Sequence, residues 1–193
     1  MKSKKGERII FLEGKKVNLR PLDSENDVEV VTRWRNDPEV RHFVCECFPR
    51  TKKDELEWLN EKSDNNIVLA IDTKKGNFIG IMDIHRINHL SRTATTGAMI
   101  GEKNYWSKGF GTDAKMILLN YAFNTLNLRK IGSRVFNFNN RSINYSKRCG
   151  YKEEGVLKKE HFIDGNYVDE ILLAVFREDF LPLWEKYKNG SKK

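Results

Sequence analysis

The sequence predicts an α+β domain in which helices pack on a mixed, mostly antiparallel sheet. Strand-like segments follow one another directly in two parts of the chain, and that order favours antiparallel pairing. Between those parts, a strand, a long helix and another strand occur in turn, which indicates a parallel crossover. The 193 residues, 39% of them hydrophobic, are sufficient for one domain with a substantial core.

The first part of the chain predicts one strand followed by two helices. Residues 17–22 alternate between apolar and polar side chains, as a half-buried strand does. Asp23 or Ser24 can cap a first helix that ends at about Arg35. A second helix begins at Thr51.

The middle of the chain predicts three strands in series and one long helix. The strands cover residues 67–71, 78–84 and 93–100. The helix runs from about Gly109 to Leu126. Its apolar residues recur at helical spacing, which indicates a buried stripe formed by Ala114, Ile117, Leu118, Tyr121 and Ala122.

The last part of the chain predicts a strand, a short helix and a hairpin. The strand covers residues 130–136 and the helix about 140–149. Two further strands lie near residues 154–163 and 167–176, and Asp164-Gly165 between them is a favourable hairpin turn. The predicted sheet therefore has about seven strands.

Composition and charge narrow the possible functions. No apolar run approaches the ~18 residues that span a membrane, and no apolar signal segment follows the charged N-terminus. The cysteines, Cys45, Cys47 and Cys149, have neither disulfide nor zinc spacing, which predicts a cytoplasmic protein without a metal site. The net charge of +8 suits an anionic cofactor or partner, and no motif indicates DNA binding.

Lysines are concentrated near both ends of the sequence. Runs of lysine are usually solvated rather than packed. We therefore divide the chain into an N-terminal extension (residues 1–15), a domain (residues 16–184) and a basic C-terminal tail (residues 185–193).

The glycine-rich segment 106–112 carries the strongest local signal for ligand binding. Gly109 and Gly111 remove side chains where a ligand can approach the backbone, at the point where the long helix begins. Free N–H groups and the helix dipole make such a start an anion site, to which Lys108 adds charge and Thr112 a hydroxyl. A pyrophosphate fits this pattern, although neither the Walker nor the dinucleotide-binding motif is present.

Three motifs together resemble the GNAT superfamily of N-acetyltransferases. Residues 105–114 resemble its pyrophosphate loop, with Trp106 at a position where the family usually has Arg or Gln. That departure is common in the branch of ribosomal-protein N-terminal acetyltransferases and spermidine acetyltransferases. Residues 139–151 resemble the family's Asn-x-x-Ser helix, and residues 155–165 resemble a hairpin motif of that branch. The resemblance covers roughly residues 16–180.

The resemblance implies a three-layer fold with helices on both faces of the sheet. Two central parallel strands, residues 93–100 and 130–136, would splay into a V that holds acetyl-CoA as cosubstrate. The side chain of Asn139 has an alternative role as the cap of the short helix. The residues implied in cofactor binding are Met99, Ile100, Gly101, Trp106, Ser107, Lys108, Gly109, Phe110, Gly111, Thr112 and Asn139.

The implied reaction is direct attack of a primary amine on the thioester, which needs a base and an acid. Glu160 matches the family glutamate of the hairpin and is the first candidate for the base, although it also suits cross-strand pairing with lysines. Asp83 stands in an apolar strand, where facing solvent is the simpler explanation. Ser142, Tyr145 and Ser146 are candidates for the acid. Ser146 occupies the position at which many relatives have tyrosine, and Tyr145 is ~100° away on a helix.

Several acceptors remain open at this point. The resemblance favours a protein N-terminus or a polyamine, with an amino sugar or aminoglycoside as the alternative. The Ile87-Asn88-His89 segment resembles polyamine acetyltransferases, whereas the positive charge suits association with the ribosome. A non-catalytic acetyl-CoA-binding regulator and a basic RNA-associated module are the rival functions, and relatives often form homo-oligomers.

Overall fold

The computed structural model describes residues 9–44, 48–60 and 65–190. In these ranges one sheet contains strands β1 (Leu12–Glu13), β2 (Val17–Pro21), β3 (Ile67–Thr73), β4 (Phe78–Asn88), β5 (Thr93–Ile100), β6 (Lys130–Phe136), β7 (Lys152–Ile163) and β8 (Asn166–Phe176). The α-helices are α1 (Val28–Asn36), α2 (Pro38–Arg41), α3 (Lys52–Asn60), α4 (Phe110–Asn124), α5 (Asn140–Arg148) and α6 (Arg177–Asn189). Cys45 and Cys47 lie outside the described residues.

The strand order is β1-β2-β3-β4-β5-β6-β8-β7, and every neighbouring pair is antiparallel except β5 with β6. This confirms the predicted mixed, mostly antiparallel sheet. The described part of the chain has eight strands rather than about seven. The additional strand, β1, pairs through Leu12 and Glu13 alone, and two residues are too few to show an alternating pattern.

The two central parallel strands pair over only part of their length. The pairs are Thr93 with Lys130, Ala94 with Ile131 and Thr95 with Gly132. Both strands continue, to Ile100 and to Phe136, beyond the last of these pairs. β5 and β6 therefore diverge toward their carboxyl ends, as the expected V requires.

Helices cover both faces of this sheet. Neighbouring residues of β4 point to opposite faces: Met82 belongs to the large core that includes α4 and α6, whereas Ile81 packs with Trp34 of α1. α4 is buried almost all round. The expected three-layer arrangement is therefore present.

A buried ion network attaches α1 to the sheet. The Arg20 guanidinium of β2 donates to Asp27 at the start of α1, with Nη1–Oδ2 at 2.6 Å and Nη2–Oδ1 at 3.0 Å. It also donates to Asp72 of β3, with Nε–Oδ2 at 2.9 Å. All three side chains are buried, and the guanidinium charge offsets part of the charge of the two carboxylates. This network fixes α1, and with it Trp34, over the sheet.

Asp113 in the first turn of α4 joins two segments that are distant in sequence. Its carboxylate accepts the backbone N–H groups of Lys15, Lys16 and Val17 and the hydroxyl of Tyr187 in α6. Neither β1 nor α6 was expected, and residues 185–189 continue α6 where the sequence suggested a tail. The division into extension, domain and tail stays a prediction. Within the described ranges, no helix has both the length and the apolarity needed to cross a membrane.

Candidate active site

A cavity of about 360 Å³ lies between the diverging ends of β5 and β6. Its walls are formed by residues 96–100 of β5 and 133–136 of β6, by the loop before α4 and the first turn of α4, and by one side of α5. Val40, Phe43 and Val44, at and after α2, and Glu170 of β8 complete them. The cavity therefore occupies the V that the parallel strands create.

Most of the predicted cofactor-binding residues line this cavity. They are Met99, Ile100, Trp106, Ser107, Gly109, Gly111, Thr112 and Asn139. Gly101, Lys108 and Phe110 do not belong to the lining.

Gly101 is required for packing against a helix. A Cβ atom at Gly101 would lie 1.9 Å from the Trp34 indole, and the Gly101 N–H already donates to the Ile79 carbonyl at 3.0 Å. The carbonyl of Lys108 accepts the Lys16 ammonium at 2.9 Å, and the Phe110 ring packs edge-on against Tyr105. Cofactor contact by these three residues stays a prediction; the Phe110 backbone N–H is one of the first N–H groups of α4.

The start of α4 has the properties of an anion site. Gly109 is the N-cap, with a left-handed φ of 83°, and no side chain caps the helix. The first N–H groups of a helix lack intrahelical partners, so here they remain available to a ligand at the cavity wall. A Cβ at Gly109 would lie 3.2 Å from Lys16 Nζ, which adds positive charge. The loop thus fits a pyrophosphate, and Lys16 was missed because only the Asp113 contacts bring it there.

Asn139 and Arg141, at the start of α5, belong to the cavity wall. Asn139 caps the helix, since its side chain accepts the Ser142 N–H at 3.0 Å. The Arg141 guanidinium lies 3.8 Å from the centroid of the Trp106 ring and 4.7 Å from that of Phe43. Burial lowers the pKa of Arg141. This cation beside the pyrophosphate-like loop was not predicted.

The predicted catalytic residues separate into two groups. Ser142 and Tyr145 line the cavity. Ser146 is fully buried and Glu160 is exposed, and neither belongs to the lining. Glu160 lies where the pairing register of β7 with β8 shifts between Leu157 and His161. That irregularity turns Glu160 toward solvent, and an alternating pattern cannot reveal it.

The environment of the Tyr145 phenol at the cavity wall affects its ionisation. Burial raises the pKa of Tyr145, and the nearby Cys149 and Asp83 add to the rise, while the hydroxyls of Ser146 and Ser142 oppose it. The Tyr145 hydroxyl is therefore protonated at neutral pH and can donate a proton.

A buried lysine of α4 lies beneath the point where the strands diverge. Lys115 is 0% exposed, and its Nζ donates to Thr96 Oγ1 at 2.7 Å. The same ammonium lies 5.6 Å from the Tyr145 ring centroid and 5.5 Å from that of Tyr151. Burial is the main cause that lowers the pKa of Lys115 to about 8. The sequence does hold a signal for the burial of Lys115, because the helix around it is apolar on nearly every side.

Two carboxylates adjoin the cavity. Asp83 Oδ1 accepts the Gly97 N–H at 2.9 Å and lies 2.6 Å from His85 Nδ1, so Asp83 does not simply face solvent. A Cβ at Gly97 would lie 2.8 Å from Asp83 Oδ2, which places this carboxylate directly over a residue of the cavity wall. Glu170 lines the cavity and pairs with Arg134 Nη1 at 3.1 Å. No group of three or more His, Cys, Asp or Glu among the described residues could hold a metal ion.

Comparison with known proteins identifies relatives over most of the chain. A family model for the acetyltransferase (GNAT) domain matches residues 16–152. Spermidine N(1)-acetyltransferase of Escherichia coli (strain K12) is 29% identical over 169 residues, 86% of this chain and 88% of that protein. The putative ribosomal N-acetyltransferase YdaF of Bacillus subtilis (strain 168) is 26% identical over 132 residues, 68% of this chain and 69% of that protein.

Solved structures agree with this relationship. The spermidine N-acetyltransferase from Vibrio cholerae, in complex with CoA and spermine, is 25% identical and has a TM-score of 0.80, covering 86% of this chain and 98% of that one. The diverging strands and the glycine-rich helix start define an acyltransferase that binds a CoA thioester. The chain belongs to the GNAT acetyltransferase family, and it is an N-acetyltransferase with acetyl-CoA as cosubstrate.

Proposed function

We propose that the acetyl acceptor is a primary amine of a polyamine. The observation that carries this proposal is the similarity to spermidine N-acetyltransferases over 86% of the chain. The carboxylates of Asp83 and Glu170, which adjoin the cavity, are suitable partners for a cationic amine.

In the proposed reaction, different residues act on the acetyl-CoA donor and on the amine acceptor. The N–H groups at the start of α4 hold the pyrophosphate, with Lys16 and Arg141 adding positive charge. Asp83, paired with His85, removes a proton from the incoming ammonium, because only the neutral amine has a lone pair for attack. Tyr145 supplies a proton to the departing sulfur.

A panel of acceptors, with release of the CoA thiol as readout, tests the proposal. We expect spermidine and spermine to give the highest kcat/KM, above a peptide with a free N-terminus and above an aminoglycoside. Preference for the peptide or the aminoglycoside would contradict the polyamine proposal. Binding of acetyl-CoA without turnover on any amine would instead support the regulatory alternative.

A protein N-terminus is the second candidate acceptor. The net charge of +8 and the similarity to a putative ribosomal N-acetyltransferase favour it. Association with the ribosome would follow from this alternative. A cytoplasmic location and assembly into homo-oligomers are further proposals, and the buried free thiol of Cys149 is consistent with a reducing compartment.

A further inference from the structure

A lysine is an unusual residue at the fully buried position of Lys115 in α4. An ammonium without water is costly, and Met fills a similar volume in a helix that is buried on nearly every side. Lys115 instead bonds to Thr96, the first residue of β5 beyond its last pair with β6. A costly charge that bonds to a residue of the cavity wall indicates a functional role.

We propose that Lys115 is a positioning residue that acts through Tyr145 on departure of the CoA thiolate. Its ammonium lies 5.6 Å from the centroid of the Tyr145 ring, and Tyr145 is itself a residue of the cavity wall. This inference rests on the proposed N-acetyl transfer with Tyr145 as the proton donor. A cation near a phenol favours the ionised phenol, and it therefore makes the hydroxyl a better donor.

Most of the groups that act on the Lys115 ammonium carry no charge that could offset it, and the Asp83 carboxylate is the exception. The groups that act on it are the Thr96 hydroxyl, the phenols of Tyr145 and Tyr151, the Cys149 thiol and the carboxylate of Asp83. Burial raises the pKa of the Cys149 thiol and of both phenols, so these three groups are neutral at neutral pH. The field of the ammonium therefore reaches Tyr145 and the cavity beside it.

The proposed step conserves atoms and charge. The amine nitrogen forms a bond to the thioester carbonyl carbon, and the carbon–sulfur bond breaks with its electron pair on sulfur. The Tyr145 O–H proton passes to sulfur, and Lys115 stabilises the phenolate that results. The phenolate is neutralised by the proton lost from the new amide nitrogen.

A double-mutant cycle between Lys115→Met and Tyr145→Phe tests whether Lys115 acts through Tyr145. In the presence of Tyr145 we expect Lys115→Met to lower kcat about tenfold, with little change in the KM for acetyl-CoA. In the Tyr145→Phe background the same substitution should change kcat less than about twofold. Independent, additive losses would overturn the proposal. Lys152→Met, at an exposed lysine, controls for loss of one positive charge.

A second measurement needs CoA but no acceptor, so it remains informative if the polyamine proposal fails. The pH dependence of CoA binding, measured by calorimetry, gives the pKa of the bound thiol. We expect this pKa to be about one unit lower in the wild type than in Lys115→Met. Equal values would overturn the proposal. Lys115→Gln serves as a second neutral variant if Lys115→Met does not fold, as judged by thermal unfolding.

Discussion

Lys115 imposes a pH dependence on the stability of the fold. Burial lowers its pKa from 10.5 to about 8 in the folded protein. Between those two values the unfolded chain binds more protons than the folded one, so the free energy of unfolding rises with pH. Below pH 8 both states hold the proton, and the full cost of burying the ammonium is present.

Lys115→Met should therefore stabilise the protein at pH 7. Its advantage over the wild type should shrink from about pH 8 upward and vanish above about pH 10.5, because the neutral amine no longer incurs the cost of burying a charge. Urea unfolding at several pH values measures the difference. A difference that is the same at pH 7 and pH 10 would show that the pKa of Lys115 is not lowered. A variant that is more stable yet slower would indicate a lysine retained for catalysis.

Neutral variants of Asp83 and Glu160 test which of the two carboxylates is the catalytic base. We expect Asp83→Asn to lower kcat about 100-fold, since a positioned base contributes at least this much. Glu160→Gln is the matched neutral variant at an exposed carboxylate, and its kcat should stay within about twofold of the wild type. Both are measured with the best acceptor of the panel. A large loss in Glu160→Gln alone would restore Glu160 as the base.

At the scale of elements, the start of α4 allows the charge of a ligand to be tested without a change of shape. Gly109→Asp and Gly109→Asn introduce side chains of nearly equal size at the same left-handed φ, a conformation that both residues tolerate. We expect acetyl-CoA to bind at least about tenfold more weakly to the Asp variant than to the Asn variant, because the added carboxylate repels the pyrophosphate.

Isothermal calorimetry with both variants distinguishes an anion site at this loop from a purely structural helix start. Equal affinities for Gly109→Asp and Gly109→Asn would contradict the anion site. If these equal affinities are also below that of the wild type, the backbone conformation of the loop alone matters, as at a purely structural helix start.

The elements themselves follow largely from local patterns. The strand predicted at residues 130–136 matches the bounds of β6, and the apolar stripe predicted α4 to within two residues at its C-terminal end. β1 and α6 were missed because pairing with β2 and the contact of Tyr187 with Asp113 are not visible in a short window of sequence.

At the scale of the whole molecule, the donor side of the site could be predicted and the acceptor side could not. The proposed pyrophosphate loop is a contiguous segment with glycines at a helix start, so the sequence signal for it is local. Lys16 and Gly109 meet only through tertiary structure, and the bulge that turns Glu160 outward depends on the register of two strands. The role proposed for Asp83 depends likewise on Gly97, which leaves room for the carboxylate on the neighbouring strand.

The Asp113 carboxylate makes the cofactor loop thermodynamically dependent on distant parts of the chain. It bonds the turn before β2 and the end of α6 to the helix turn whose N–H groups face the cavity. By linkage, any ligand that orders this helix turn also favours the docked state of both segments, and loosening either segment weakens the ligand by the same free energy. Occupancy of the donor site should thus reduce local opening of the turn before β2 and of the end of α6.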